Sequence, residues 1–221
     1  MTLIRLALVG IVAAAALGSA APQARAGVNL IVNGSFADPK VAVGSWGEYT
    51  TASTPGFGWT NPSDSGVEID SPNVLGMSSY IAPGGQVYGQ RMEVNANTFG
   101  DVGQTVGGLT IGQSYTLSFG YGVRPGSGPQ ELTVSFGGAK LAVFDSQSLS
   151  TPWTTETFQI TATAASEKLE FLSVDTYSVG GLPSYGNEIA DVSLVGVPEP
   201  ASLALLGTSL LGLGLIRRRR A

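Results

Sequence analysis

From residue 114 to 123, polar and apolar side chains alternate: Tyr115, Leu117, Phe119, Tyr121 and Val123 fall between Ser114, Thr116, Ser118, Gly120 and Gly122. The same period of two runs through Leu132, Val134 and Phe136, with Thr133 and Ser135 between them, and through Phe158, Ile160 and Ala162, with Thr157, Gln159 and Thr161. A strand points successive side chains to opposite faces, so each segment predicts a β-strand with one buried and one wet face. Shorter pieces at 28–32, 67–69, 87–94, 102–106, 169–174 and 189–195 predict further strands. Away from the two ends, no long stretch carries the 3.6-residue period of an amphipathic helix.

Turn chemistry separates these runs. Asn33-Gly34, Pro83-Gly84-Gly85, Gly107-Gly108, Pro125-Gly126-Ser127-Gly128-Pro129, Gly137-Gly138 and Gly180-Gly181 all favour tight reversals. About nine or ten short strands punctuated in this way predict an all-β fold, an antiparallel β-sandwich of jelly-roll type. Residues 38–83 are the least regular and predict long loops at one end of the sandwich. Asn33-Gly34-Ser35 formally matches a glycosylation acceptor, yet its composition fits a tight turn.

The two ends differ from the middle. Arg5 precedes an apolar stretch over 6–21, and Ala24-Arg25-Ala26 follows with small residues flanking one position. That order predicts a helical signal peptide over 1–26, removed by signal peptidase during general export. At the other end, Pro198-Glu199-Pro200 precedes a 16-residue apolar run over 201–216, then Arg217, Arg218, Arg219, Arg220 and Ala221. As a helix the run covers roughly 24 Å against about 30 Å of bilayer hydrocarbon. A short transmembrane helix of this kind spans if its arginines snorkel, and the positive-inside bias places them in the cytoplasm. Pro198 and Pro200 forbid a helix through Glu199, leaving an extended peptide just outside the membrane.

Those three parts, in that order and position, resemble the PEP-CTERM sorting signal of Gram-negative bacteria. The resemblance implies that exosortase, a membrane protease-transpeptidase, recognises Pro198, Glu199 and Pro200, with Arg217, Arg218, Arg219 and Arg220 as anchor charges. It implies transient inner-membrane anchoring, then release to the envelope, cell surface or exterior. The family tends to occur in species that make exopolysaccharide and biofilm. The chain thus divides into a signal peptide (1–26), a β-sandwich domain (27–196) and a sorting signal (197–221).

Charge narrows the function of the middle domain. Of 11 basic residues, six are Arg5, Arg25 and the terminal four, and Glu199 is the one acid of the ends, leaving 5 basic against 15 acidic residues in the middle. Such a surface repels nucleic acid and suits neutral sugars or divalent cations. With 0 Cys and 0 His, no disulfide, Ser-His or Cys-His nucleophile, or usual zinc ligand set can be built.

Several middle segments also resemble galactose-binding-like jelly rolls, including an uncharacterised family found in plant cell-wall and PEP-CTERM proteins. They are the opening Asn29-Leu30-Ile31-Val32-Asn33-Gly34-Ser35-Phe36, then Gln104-Thr105-Val106, 112–119, and the closing Ile189-Ala190-Asp191-Val192-Ser193-Leu194. The resemblance implies a structural calcium between the first and last strands, with Asp38, Glu188 and Asp191 as candidate carboxylates. The chain departs from the pattern where Ala37 follows the opening Phe36 and where Ala190 precedes Asp191. The alternative is an ordinary acidic surface.

Two further sets of candidates remain. Aromatic rings stack on sugar faces while amides and charged groups bond the hydroxyls, so Trp46, Tyr49, Trp59 and Tyr88, with Tyr80 nearby, are candidate glycan-binding residues. Glu68 and Arg124, with Gln90 and Arg91, are candidate polar partners; core packing of the tryptophans is the alternative. Glu68 and Asp70 share a strand face and are the carboxylate pair that a glycoside hydrolase would need. The reading these observations favour is a non-catalytic, exported module that binds extracellular polysaccharide. A structural or adhesive surface protein is the alternative from another class, and a hydrolase comes third.

Overall fold

The computed structural model describes residues 27–147, 151–175 and 180–198. The expected signal peptide, Glu199, Pro200, the apolar run 201–216 and the four terminal arginines lie outside the described residues. Among the described residues no helix is long and apolar enough to cross a membrane.

Twelve strands form the domain: β1 (Trp46–Tyr49), β2 (Val67–Asp70), β3 (Tyr80–Ile81), β4 (Val87–Tyr88), β5 (Arg91–Glu93), β6 (Asp101–Gly107), β7 (Ser114–Val123), β8 (Gln130–Phe136), β9 (Ala139–Ser146), β10 (Thr151–Thr161), β11 (Ser166–Val174) and β12 (Asn187–Gly196). One sheet has the order β1-β2-β5-β12-β7-β10 and the other β6-β11-β8-β9, while β3 and β4 pair as a separate hairpin. All of these pairings are antiparallel. The chain passes from β5 to β6, β7 and β8 by changing sheet at each step, the alternation of a jelly roll.

The alternating patterns place the core between the sheets. Leu117, Phe119, Tyr121, Met92, Ile69, Ile189 and Leu194 point inward from the first sheet, and Leu132, Val134, Leu169, Phe171, Val102 and Val106 from the second. Phe119 meets Phe171 edge to face with centroids 5.1 Å apart, an arrangement that aromatic quadrupoles favour. Trp59 continues the aromatic row, 5.4 Å from Phe36 and 6.2 Å from Phe171, and its Nε1 donates to the Asn33 carbonyl at 3.2 Å.

The opening segment differs from expectation. Residues 28–32 form no strand, although they run beside β12. Leu30 N donates to Leu194 O, but the Asn29 side chain replaces the rest of the ladder: its Oδ1 accepts from Leu194 N and Ile31 N, and its Nδ2 donates to Val192 O. The Asn33-Gly34 turn forms as expected. A Cβ on Gly34 would stand 2.0 Å from Val192 O, so only glycine permits this approach. Strands β1, β3 and β9 are additions to the expected set, and β10 begins several residues earlier than its pattern suggested.

Trp59 is completely buried, so its truncation removes core contacts on several sides. Trp59→Ala is expected to lower the unfolding free energy by about 3–5 kcal/mol, read from urea denaturation. A loss below about 1 kcal/mol would contradict its place in the core.

Candidate functional site

The outer face of the six-stranded sheet carries two neighbouring features, an open cleft and a buried ionic cluster. Both follow from what lies over β7 and β12. Outward positions of β7 alternate Thr116, Ser118, Gly120 and Gly122. The glycines make room for aromatic rings on the sheet. A Cβ on Gly120 would lie 2.8 Å from the Tyr80 ring, and one on Gly122 would lie 3.1 Å from the Trp153 ring. Tyr80 is thereby pressed flat on the strands, its hydroxyl 2.6 Å from Thr155 Oγ1. Trp153 packs beside it at 5.6 Å and donates to Ser78 O at 2.9 Å. The β3–β4 hairpin therefore stands as a wall on the sheet, with Tyr88 6.1 Å from Tyr80.

Between this wall and the floor lies a cleft of about 400 Å³, within the size range of small-ligand sites. Tyr88 and Gln86 line the wall, Thr116, Ser118 and Thr157 the floor, and Asp191 one end. A bulge in β12 presents Asp191: its pairing with β7 shifts register between Ala190 and Ser193, and Asp191 adopts φ 48. Bulges re-aim side chains. Here the bulge is held from behind by the Asn33-Gly34 turn, since Val192 N donates to Gly34 O. The Tyr88 phenol lies beside the Asp191 carboxylate. Burial and then that carboxylate push the Tyr88 phenol up to about 12, and burial raises Asp191 as well. Hydroxyls, an amide, a carboxylate and an aromatic ring thus converge on one opening, and no basic side chain lines it. The set can hydrogen-bond and stack against a neutral polyhydroxylated molecule.

The second feature lies along β2, β5 and β12. Glu68 pairs with Glu93, Asp70 with Arg91 and Glu188 with Glu93 across the ladder, which gathers their side chains on the outer face. All are buried. Arg91 donates from Nε to Glu188 and from Nη2 to Asp70, each at 2.9 Å, and also to Ser71 O and Val74 O. Arg124 pairs with Glu93 at 3.2 Å and lies over the Tyr185 ring, 4.0 Å from its centroid. Gly186 N donates to Glu93 as well. Burial pushes Glu68 up to about 9, with Asp70 adding repulsion, and burial outweighs Arg91 to raise Glu188 to about 8. Burial also raises Glu93 well above the usual range, and Asp70 above its own.

The sequence candidates disperse in the structure. Tyr88 reaches the cleft. Trp46 is an exposed residue of edge strand β1, and Tyr49 packs on Phe57 and lines a different depression. Trp59 is a core residue, which removes it from any sugar-stacking surface. Glu68 and Asp70 do come together, but both are buried, and Asp70 is ion-paired to Arg91. Arg124 holds Glu93, and Gln90 fastens the 36–41 loop through Val41 N and Pro39 O.

The expected calcium carboxylates, Asp38, Glu188 and Asp191, do not form a converging set. Arg91 claims Glu188, Tyr88 claims Asp191 beyond the bulge, and Asp38 stays exposed in the turn closed by Asn33. The acids whose oxygens do converge are Glu68, Asp70 and Glu93, and this group could hold a metal ion. Glu93 was not among the candidates, nor were Thr116, Ser118 and Thr157. Their outward strand positions were legible, but the loops above them were not.

Residues 196–220 match the PEP-CTERM protein-sorting motif. No curated protein matches the chain. Similar solved structures include an arabinose-bound α-L-arabinofuranosidase, at TM-score 0.45 and 19% identity over 77% of this chain and 27% of that one. A family 35 carbohydrate-binding module from Clostridium thermocellum aligns at TM-score 0.40 and 13% identity, over 68% of this chain and 97% of the module. A CBM4 structure aligns at TM-score 0.37 and 15% identity, over 76% and 99% of the respective chains. The chain therefore spans about a quarter (27%) of the arabinofuranosidase's length.

The buried acids fix the sign of a pH effect. A carboxyl raised in the folded state keeps its proton where the unfolded chain has lost it, so stability falls as pH climbs between the two values. For Glu68 and Glu188 that window runs from the ordinary 4.5 to about 8 or 9. In buffer containing a chelator, stability is expected to decline from about pH 5 to about pH 8, by about 1.4 kcal/mol per unit for each proton retained. Urea unfolding across this range checks it, and stability rising with pH would contradict it.

Proposed function

We propose that this chain is an exported, exosortase-processed protein whose β-sandwich is a non-catalytic module for neutral extracellular polysaccharide. The cleft beside the β3–β4 hairpin carries the reading. It combines a half-buried tyrosine ring with Thr116, Ser118, Thr157, Gln86 and Asp191, and it lacks the cationic side chains that an anionic polymer would require. The acidic body points the same way, because it disfavours anionic partners. The sorting motif at 196–220 supports export and display at the cell surface.

Affinity electrophoresis of the full chain through gels of neutral polysaccharide tests the binding. Retention is expected, with Tyr88→Ala raising the dissociation constant about tenfold or more, a loss of about 1.4 kcal/mol. Trp46→Ala is expected to leave retention unchanged. Retention lost in Trp46→Ala and kept in Tyr88→Ala would move the site to β1. No retention on any neutral glycan would favour a purely structural or adhesive role.

Processing has a separate readout. In a host carrying the sorting peptidase, mass spectrometry of the exported protein is expected to show loss of the segment beyond the Pro198-Glu199-Pro200 region. Glu199→Ala is expected to leave the tail attached, and wild-type protein found outside the cell with Ala221 in place would overturn the assignment.

A further inference from the structure

Glu68, Asp70, Glu93 and Glu188 face two guanidinium groups, Arg91 and Arg124, so the buried set carries two negative charges when all four carboxyls are ionised and needs either retained protons or a cation to balance it. One oxygen each from Glu68, Asp70 and Glu93 lies within 4.8 Å of the other two. Glu188 stands outside that group of three and supplies a separate observation. Its Oε2 is held by Arg91, while its Oε1 is fully buried without a hydrogen-bond partner among the described residues. Asp70 is held through Oδ2 by Arg91, and Glu68 lies against the same carboxylate. A single guanidinium thus holds Asp70 and Glu188 by one oxygen each, and Glu188 is left with a buried oxygen that no donor meets. An unpartnered buried carboxylate oxygen is costly, and either a retained proton or a bound cation relieves it.

We propose that Glu68, Asp70, Glu93 and Glu188 bind one hard divalent cation of calcium's size on the outer face of β2, β5 and β12. Calcium takes oxygen ligands at about 2.3–2.6 Å, so two ligands on opposite sides of the ion stand about 4.6–5.2 Å apart. The three oxygens, each within 4.8 Å of the others, are close enough to share one such ion. Magnesium dehydrates reluctantly and usually keeps several waters, so a buried set of carboxylates suits calcium better. A divalent charge also cancels the residual formal charge of the cluster. The donor set differs from Asp38, Glu188 and Asp191, which the sequence pattern suggested, and the site does not depend on glycan binding.

The full chain, stripped with a chelator, is titrated with calcium chloride by calorimetry, with thermal unfolding followed in parallel. One calcium per chain and a higher melting temperature are expected. Glu68→Gln removes one ligand charge and breaks no arginine pair, so it is expected to fold and to weaken calcium binding about tenfold or more. Glu188→Gln is expected to weaken it likewise, whereas Asp38→Asn and Asp191→Asn are expected to bind as the wild type does. Absence of binding at millimolar calcium, wild-type affinity in Glu68→Gln, or loss confined to Asp38→Asn and Asp191→Asn would each overturn the proposal.

Discussion

The guanidinium of Arg91 ties two strands of the six-stranded sheet to the loop that covers them. Its donors reach Asp70 on β2, Glu188 on β12 and the carbonyls of Ser71 and Val74 in the loop that follows β2. A buried arginine is tolerable only when its donors are satisfied, and a buried carboxylate only when its charge is met. The loop over 71–77 therefore lies down on the sheet because Arg91 needs carbonyl acceptors there. Arg124 repeats the device on the other side, pairing with Glu93 and carrying the Tyr185 ring over its guanidinium plane. Removal of either arginine would strand a buried acid, a loss that commonly costs about 3–5 kcal/mol.

The cleft depends on a second constraint, the close approach of rings to backbone at Gly120 and Gly122. Glycine in a central strand weakens it, because it packs nothing and loses more backbone freedom on folding. Here the lost packing is returned from outside, by Tyr80 and Trp153 lying where side chains would be. The hairpin wall stands because the floor beneath it is flat. Two residues on, Ser118 and Thr116 resume the ordinary outward pattern, and the floor opens to solvent with hydroxyls on it. Asp191 enters from the next strand only because the β12 ladder slips at a bulge held by Gly34.

Strict alternation made the central strands legible. β8 and the first half of β7 bury one face against the opposite sheet and leave the other wetter, so hydrophobicity alone marks them. β9 escaped notice because it is an edge strand: Leu141, Ala142 and Phe144 are only half-buried, Val143 is exposed, and neither face is uniformly apolar. Residues 28–32 have the pattern of a strand, but Asn29 supplies the hydrogen bonds that a ladder would make. The site was less legible than the fold. Glu68, Glu93 and Glu188 occupy outward positions, which alternation marks as wet. They are buried because loops fold over them, among them the segment after β2 that Arg91 holds, and strand alternation carries no signal of that.

The segment 71–88 joins the two outer features into one mechanical unit. It leaves β2 at the carbonyls held by Arg91, crosses the sheet over Gly122 and Gly120, and ends in the hairpin that carries Gln86 and Tyr88. Whatever settles the charge of the buried acids also settles how firmly Arg91 holds Ser71 and Val74, and through them the start of this segment. The far end is tied independently, by Tyr80 to Thr155. A ligand in the cleft therefore meets a wall anchored at both ends, one in a low-dielectric ionic cluster and one in a hydroxyl network open to water. A cation bound by the acids as proposed would act on the first anchor, and through it on the wall, without entering the cleft.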